Sequence, residues 1–267
     1  MIHTSKETDE RREATGPRLK VSEEAVLPLE CWCLHGAVGA ASDWRSLAKK
    51  LAEHGISTRA VDLWRFLECQ SVSMSDFGRQ LNAQAEGEVA RGQRRVLIGY
   101  SMGGRLALHA LLAGGSWAAA VIISAHPGIQ DLDQASSRRS NDSDWACMAL
   151  TIPWSEFLMK WNAQAILGGQ IRDAREEKKL LQRRREIARS FVDWSLGVQS
   201  PLWERLGEIT IPTLWIAGEN DPKFVDLAEA AVALSASSSL AIAPDSAHRV
   251  PWENETWLAN RILEFVS

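Results

Sequence analysis

Hydrophobic residues in this chain fall into short continuous runs, separated by longer segments that are apolar on one side only. Residues 118–124 are apolar at nearly every position, which is typical of a strand buried on both faces. Residues 43–52 repeat apolar positions at helical spacing and predict an amphipathic helix, with Ser42 or Asp43 as its cap. The alternation predicts an α/β fold, a mostly parallel sheet with helices on both faces. Strands are predicted at 31–36, 57–63, 96–98, 118–124, 212–218 and 240–243, and helices at 43–52, 75–92, 105–113, 224–234 and 252–266.

One stretch interrupts the alternation. Residues 127–205 contain no convincing strand, carry helical patterns and include five of the twelve tryptophans. Because they stand between two predicted strands, we expect an inserted helical cap over the carboxyl edge of the sheet, where ligands bind in open α/β folds. The predicted organisation is a polar tail at 1–25, a sheet-containing core at 26–126 and 206–267, and the cap at 127–205.

A serine stands between glycines at the end of the third predicted strand. Gly99-Tyr100-Ser101-Met102-Gly103 fits the G-x-S-x-G pattern of a nucleophile elbow, in which the serine sits on a tight strand-to-helix turn. The bare pattern also occurs by chance, where glycines merely turn the chain. Here an apolar strand precedes it and good helix formers follow until Gly114, and this context favours the elbow.

A serine nucleophile or base needs a proton acceptor and an acid to orient it, in the chain order Ser, Asp or Glu, His. His248 follows the last predicted strand and lies in a loop, so it is the predicted base; His126, directly after a strand, is a weaker rival. Asp221 follows the penultimate strand and is the predicted acid, whereas Glu219 is expected to face solvent.

An oxyanion hole requires two backbone N–H groups close to the serine. One is expected from Met102, the residue after the serine, and the other from Ala37, in the loop after the first strand. Gly36 would allow that loop to turn closely. His35 is expected to hydrogen-bond within the same loop rather than to act as a base.

Composition narrows the range of functions. The 267 residues are 45% hydrophobic and 24% charged, enough apolar material for one large domain or a domain with an insertion. The net charge of −4 argues against general nucleic-acid binding, and no apolar run is long enough to cross a membrane. No metal-ligand spacing or cofactor motif appears, and Cys31 and Cys33 fit a buried strand face. Without a secretory signal pattern, a reducing cytoplasmic location is expected.

Several motifs together resemble those of a known superfamily. Leu34-His35-Gly36, the serine elbow, Gly218-Glu219-Asn220-Asp221 and the late His248 are similar to the α/β-hydrolase superfamily. A narrower resemblance is to 2-succinyl-6-hydroxy-2,4-cyclohexadiene-1-carboxylate synthase of menaquinone biosynthesis. That resemblance is carried by residues 34–44, 99–108, 124–130, 138–146, 154–161, 197–203 and 221–224.

The narrower resemblance implies a lyase that uses a hydrolase triad. Such an enzyme takes a proton at the succinyl α-carbon of a cyclohexene substrate and expels pyruvate, without a cofactor. Matching motif positions imply a Ser101, Asp221 and His248 triad. They also imply that Tyr100, Arg105, Trp161 and a cap arginine, Arg139 or its neighbour Arg138, bind the substrate.

Two features depart from the family pattern or extend it. After Val61-Asp62-Leu63 the chain continues with Trp64-Arg65-Phe66 where many relatives have Pro-Gly-His-Gly, and the family's second cap arginine cannot be placed beyond the region of Lys179 and residues 183–185. Residues 172–189 contain eight basic and four acidic side chains in a chain of net charge −4. Most of these are expected to lie on a solvated helix face, yet a basic cap also suits a small polycarboxylate substrate.

Two other functions remain open at this point. The same triad could hydrolyse small esters or thioesters through an acyl-serine, or the fold could be a non-catalytic binding protein. Arginines at Arg105 and at Arg138 or Arg139 favour the lyase, because a neutral ester requires no buried guanidinium. Whether the protein is a monomer or a homo-oligomer is left open by the sequence.

Overall fold

The sheet is entirely parallel. The computed structural model describes residues 28–87, 93–167 and 174–267, and its six strands lie in the order β2-β1-β3-β4-β5-β6. The predicted α/β fold with a mostly parallel sheet is therefore confirmed. The strand order reverses between β1 and β3, so the loops that leave these two strands border the crevice where α/β folds bind ligands. The strands are β1 (Leu29–Leu34), β2 (Ser57–Val61), β3 (Arg94–Tyr100), β4 (Ala119–Ile123), β5 (Thr213–Gly218) and β6 (Ser238–Ala243).

Helices cover both faces of this sheet. Alternate residues of β1 point to opposite sides: Cys31 and Cys33 join one hydrophobic cluster, and Trp32 and Leu34 join the other. The first cluster packs on α1 (Arg45–Ala52), α9 (Val250–Glu253) and α10 (Glu255–Val266). The second packs on α2 (Met74–Gly87), α3 (Met102–Leu112) and α8 (Pro222–Ala233). Burial raises the pKa of the Cys31 thiol to about 12, so this cysteine behaves as the small apolar residue that was predicted.

Two predicted helices are divided differently in the structure, and α3 begins at Met102, three residues before its predicted start. The helix predicted over 252–266 is two helices, because Asn254 ends α9 and its side chain caps the start of α10 by accepting from the Trp257 N–H. The helix predicted from Asp43 starts as a 3-10 turn, Ala41–Trp44, before α1. Neither predicted residue caps α1; Asp43 instead accepts the Ala40 N–H and so closes the preceding turn.

Between β4 and β5 the described chain contains helices, turns and loops but no strand. It contains α4 (Leu132–Thr151), α5 (Trp154–Asn162), α6 (Ala174–Gln182) and α7 (Arg184–Asp193), which we call the helical insert. Aromatic rings pack its interior: Trp145 and Phe191 lie edge-on to Trp161, with centroids 5.1 and 5.2 Å away. The division into core and cap stays a prediction, and the predicted tail at 1–25 lies outside the described residues.

None of the helices in the described ranges is both long and apolar enough to cross a membrane.

Candidate active site

Ser101 occupies the turn between β3 and α3. Its backbone has φ 53° and ψ −113°, a conformation that a residue with a β-carbon rarely adopts. Glycines on either side make the turn possible, since a Cβ on Gly99 would lie 2.5 Å from the carbonyl oxygen of Gly103. The strained turn lifts the serine hydroxyl to the carboxyl edge of the sheet, as the elbow pattern predicted.

Three side chains distant in sequence meet at this edge. His248 Nε2 lies 3.1 Å from Ser101 Oγ, and His248 Nδ1 lies 3.0 Å from Asp221 Oδ2. Asp221 stands between β5 and α8, and His248 follows β6. The carboxylate and the imidazole are both buried, and Phe224 packs its ring 4.5 Å from the imidazole. This order of contacts can pass a proton from the serine to the imidazole, with the carboxylate stabilising the imidazolium.

The alternative acid and the two other histidines near the site form hydrogen bonds outside the triad. Glu219 is exposed and accepts the backbone N–H of Asp245. His35 accepts the N–H of Leu63 through Nε2 and donates to the Gly36 carbonyl through Nδ1, which agrees with its predicted role within the loop. His126 lies in the cavity wall, but its Nδ1 accepts the Gly128 N–H, and among the described residues no carboxylate bonds to its ring.

The two predicted oxyanion donors border the same cavity. Met102 is the first residue of α3, so its N–H has no acceptor inside the helix. Ala37 lies in the loop after β1, beside Gly36. That glycine is required by close approach, because a Cβ there would lie 2.7 Å from the Tyr100 ring. Both amides are thus available to a negative oxygen near Ser101, and their role remains a proposal.

A cavity of about 490 Å³ opens beside Ser101 and His248. Its floor is the carboxyl edge of the sheet, and Arg138, Trp145 and Trp161 contribute its wall from the helical insert. The volume is that of a site for a small molecule. Within the described ranges, no group of three or more histidine, cysteine or acidic side chains could hold a metal ion.

Arg105 is a cation buried in this cavity wall. One turn of α3 beyond Ser101, it donates to Gln199 Oε1 at 3.0 Å and to the Trp194 carbonyl at 2.8 Å. Both acceptors are neutral, and in the described part of the chain no carboxylate lies within ion-pair distance. Burial, together with the positive charge of Arg138, lowers the pKa of the Arg105 guanidinium to about 9. A bound anion would relieve the cost of burying this charge.

Of the two arginines predicted from the cap, only Arg138 reaches the cavity. It is half-buried, and its Nε donates to Asp142 Oδ1 at 2.9 Å. Arg139 is exposed, because successive residues of a helix point about 100° apart. The other two predicted substrate residues, Tyr100 and Trp161, both line the cavity; the Tyr100 ring packs 5.7 Å from the His248 imidazole.

The basic stretch at 172–189 does not supply the site in its described part. Arg183 pairs with Asp62 at 2.8 Å and also with Glu68, and Arg189 donates to the Leu67 carbonyl at 2.7 Å. The alternative that a basic cap faces the substrate does not apply to these residues, which do not line the cavity. They attach the helical insert to a loop of the core instead.

The cavity takes its other basic residues from places that the sequence analysis did not single out. Arg45 and Lys49 lie on α1, four residues apart and therefore on one helix face. Arg249 directly follows His248 in the chain. Arg249 donates to Asn162 Oδ1 of the insert at 2.8 Å. The i, i+4 spacing in α1 was visible, but nothing in the sequence showed which way that face points.

Comparison with known proteins agrees with this geometry. Residues 33–261 match the alpha/beta hydrolase family. The chain belongs to that family. Among curated alpha/beta hydrolase relatives, the 2-succinyl-6-hydroxy-2,4-cyclohexadiene-1-carboxylate synthase of Pectobacterium atrosepticum is 30% identical over 256 residues, which cover 91% of this chain and 96% of that protein. The narrower resemblance predicted from the motifs is thereby confirmed.

Solved structures add support for the alpha/beta hydrolase fold. MenH from S. aureus superposes with a TM-score of 0.78 at 23% identity, covering 91% of this chain and 94% of that one. The esterase EaEST from Exiguobacterium antarcticum gives a TM-score of 0.64 at 16% identity, with 89% and 91% covered. At these identities the likeness concerns the fold alone.

Proposed function

We propose that this protein is a lyase of menaquinone biosynthesis. It would convert 2-succinyl-5-enolpyruvyl-6-hydroxy-3-cyclohexene-1-carboxylate to pyruvate and 2-succinyl-6-hydroxy-2,4-cyclohexadiene-1-carboxylate, the product named for its 30% identical relative. One observation carries the proposal beyond that likeness. A serine triad and a buried guanidinium face one cavity, and among the described residues no carboxylate pairs with that guanidinium, which suits chemistry on a polyanion.

The proposed reaction is a proton abstraction followed by an elimination. Ser101, activated by His248, takes the proton from ring carbon C2, which is the α-carbon of the succinyl ketone and is acidic for that reason. The resulting enolate oxygen accepts hydrogen bonds from the backbone N–H groups of Met102 and Ala37. Its electron pair then forms C2=C3, the old C3=C4 pair forms C4=C5, and the C5–O bond breaks. The departing enolpyruvate takes a proton and becomes pyruvate, so the atoms balance without water.

The polar groups of the cavity would hold the substrate for this step. The substrate carries three carboxylates, and an arginine binds a carboxylate through two parallel hydrogen bonds. Arg105 and Arg138 are the proposed partners, with Tyr100 and Trp161 packing against the ring. Holding C2 over Ser101 would account for much of the acceleration, because a positioned base acts intramolecularly.

The test is a pyruvate-release assay with the enolpyruvyl cyclohexene substrate. Lactate dehydrogenase converts the released pyruvate and reports it through NADH absorbance. We expect turnover by the wild-type protein and a loss of at least about 10²-fold in Ser101→Ala. Absence of turnover by the wild-type protein would refute the lyase assignment.

A second candidate is a carboxylesterase or thioesterase, favoured by the Ser101–His248 contact of 3.1 Å, which serves nucleophilic attack equally well. Intact-protein mass spectrometry during turnover separates the two. The lyase releases pyruvate with no added mass on Ser101, whereas an esterase accumulates an acyl-serine with activated p-nitrophenyl esters. An adduct without pyruvate release would support the second candidate.

A further inference from the structure

The imidazole of His126 lies in the cavity wall with one of its two nitrogens already committed. His126 lies three residues after the end of β4, and its half-buried ring lines the cavity that contains Ser101. Nδ1 accepts the backbone N–H of Gly128 at 3.0 Å. Among the described residues no group bonds to Nε2, on the other edge of the ring.

The turn that makes this bond is built for it. Gly128 has φ 127°, which favours glycine, and a Cβ there would lie 2.6 Å from Pro201 Cα. Its carbonyl accepts the Trp203 Nε1–H at 2.8 Å, and the Trp203 ring packs edge-on to the imidazole at 6.3 Å. The Gly128 amide therefore stays aimed at Nδ1. An acceptor nitrogen carries no proton, so the neutral ring has its proton on Nε2.

Positive charges surround this ring on three elements. Burial acts first to lower the pKa of His126 to about 4, and Lys223 of α8, Arg105 of α3 and Arg138 of α4 add to the effect. The imidazole is thus neutral near pH 7. Gln199 links the backbone of His126 to Arg105, since its Nε2 donates to the His126 carbonyl at 3.5 Å and its Oε1 accepts from Arg105.

We infer that His126 is a substrate-recognition residue, whose Nε2–H donates a hydrogen bond to a carboxylate oxygen held by Arg105 or Arg138. A third cation at this point would be repelled by the two guanidiniums. A neutral N–H adds a directional bond instead and fixes the rotation of the carboxylate. The inference extends the proposed function, since it assumes a carboxylate substrate in the same cavity.

Two variants separate recognition from a structural role. His126→Leu removes the donor, and His126→Gln restores an N–H at about the position of Nε2. In the pyruvate-release assay we expect KM to rise about 10-fold or more in His126→Leu with kcat changed little, and His126→Gln to recover most of the loss. His54→Leu, at an exposed histidine away from the cavity, is the matched control. Unchanged KM in His126→Leu, or a loss that His126→Gln does not recover, would overturn the inference.

A binding experiment keeps this inference independent of turnover. Calorimetric titration uses 2-succinylbenzoate, a stable aromatic dicarboxylate that carries the succinyl and ring carboxyl groups. Its affinity should be highest for the wild-type protein, lower for His126→Gln and lowest for His126→Leu. Nitrogen NMR of labelled histidine should show an unprotonated Nδ1 and a protonated Nε2 near pH 7. Probe binding that depends on His126 without any pyruvate release would refute the proposed function alone. A wild-type protein that binds neither substrate nor probe, or a ring protonated on Nδ1, would refute this inference.

Discussion

At the scale of single residues, Arg105 combines a high cost of burial with a position at the cavity. Its direct acceptors, Gln199 and the Trp194 carbonyl, are neutral, so the fold gains little from its charge. The proposed contact with a substrate carboxylate would account for a cation buried at this cost. Its removal should therefore affect the substrate more than the fold.

Arg105→Met keeps most of the buried volume and removes the charge. We expect KM for pyruvate release to rise about 10- to 150-fold, the equivalent of about 1.5–3 kcal/mol for a lost bond to a charged group. The free energy of unfolding should stay the same or increase, because a buried cation is replaced by an apolar chain. Steady-state kinetics and urea unfolding measure the two effects. Arg139→Met, at an exposed neighbour of Arg138, is the control, and equal effects of both substitutions would argue against the role of Arg105.

His109, behind the site on α3, makes stability depend on acid. Burial, followed by the charges of Arg105 and Arg205, lowers its pKa to about 4 in the folded state, against about 6.5 when unfolded. The unfolded chain therefore binds the proton more readily. The contribution of His109 to the unfolding free energy is fully present above about pH 6.5 and is lost as the pH falls towards 4.

His109→Leu should flatten this dependence. Between about pH 7 and pH 5 the wild-type protein should lose roughly 2 kcal/mol of unfolding free energy through this residue, and the variant should lose less by that amount. Urea unfolding at the two pH values is the measurement. The Nε2 atom of His109 is buried and has no hydrogen-bond partner among the described residues. Because removal of that atom breaks no hydrogen bond, the variant should also be no less stable near pH 7. Identical losses in the two proteins would contradict the assignment.

At the scale of elements, α7 is attached to the core by charge. Arg183 reaches Asp62 and Glu68, which flank the 3-10 helix Leu63–Leu67 in the place where the sequence departs from the family pattern. All three side chains are partly exposed, so the pairs contribute little to global stability. We expect these pairs to act locally instead, by keeping α7 packed against the core.

Arg183→Gln should loosen the insert without unfolding the core. We expect faster amide hydrogen exchange in α7 and unchanged exchange in β3 and β4, with a change of less than about 1 kcal/mol in unfolding free energy. High salt should reproduce the effect in the wild-type protein, since it screens the same pairs. Arg205→Gln, which breaks the exposed Arg205–Glu208 pair, is the matched control. Exchange in α7 that responds to neither substitution nor salt would show that other contacts hold it.

At the scale of the whole molecule, the sequence predicted what depends on local pattern and missed what depends on orientation. Continuous apolar runs identified the parallel strands, and the elbow motif located Ser101 together with its chain-order partners, because chain order sets which strand end carries each residue. Local pattern could not tell Arg138 from Arg139, since that depends on which side of α4 packs. For the same reason the sequence did not indicate that Arg45 and Lys49 of α1 border the cavity.

The distribution of charge over the molecule leads to a last prediction. The chain has a net negative charge. The described residues that border the cavity nevertheless include five basic side chains and three acidic ones. The exposed Arg45 and Lys49 should therefore draw a polyanion towards the opening against the overall charge. In Arg45→Gln/Lys49→Gln, kcat/KM for pyruvate release should fall several-fold at low ionic strength with kcat unchanged, and the difference should nearly vanish at about 0.5 M salt. Lys50→Gln, on the same helix but away from the cavity, is the control. A loss that persists at high salt would indicate direct contact with the substrate instead of long-range attraction.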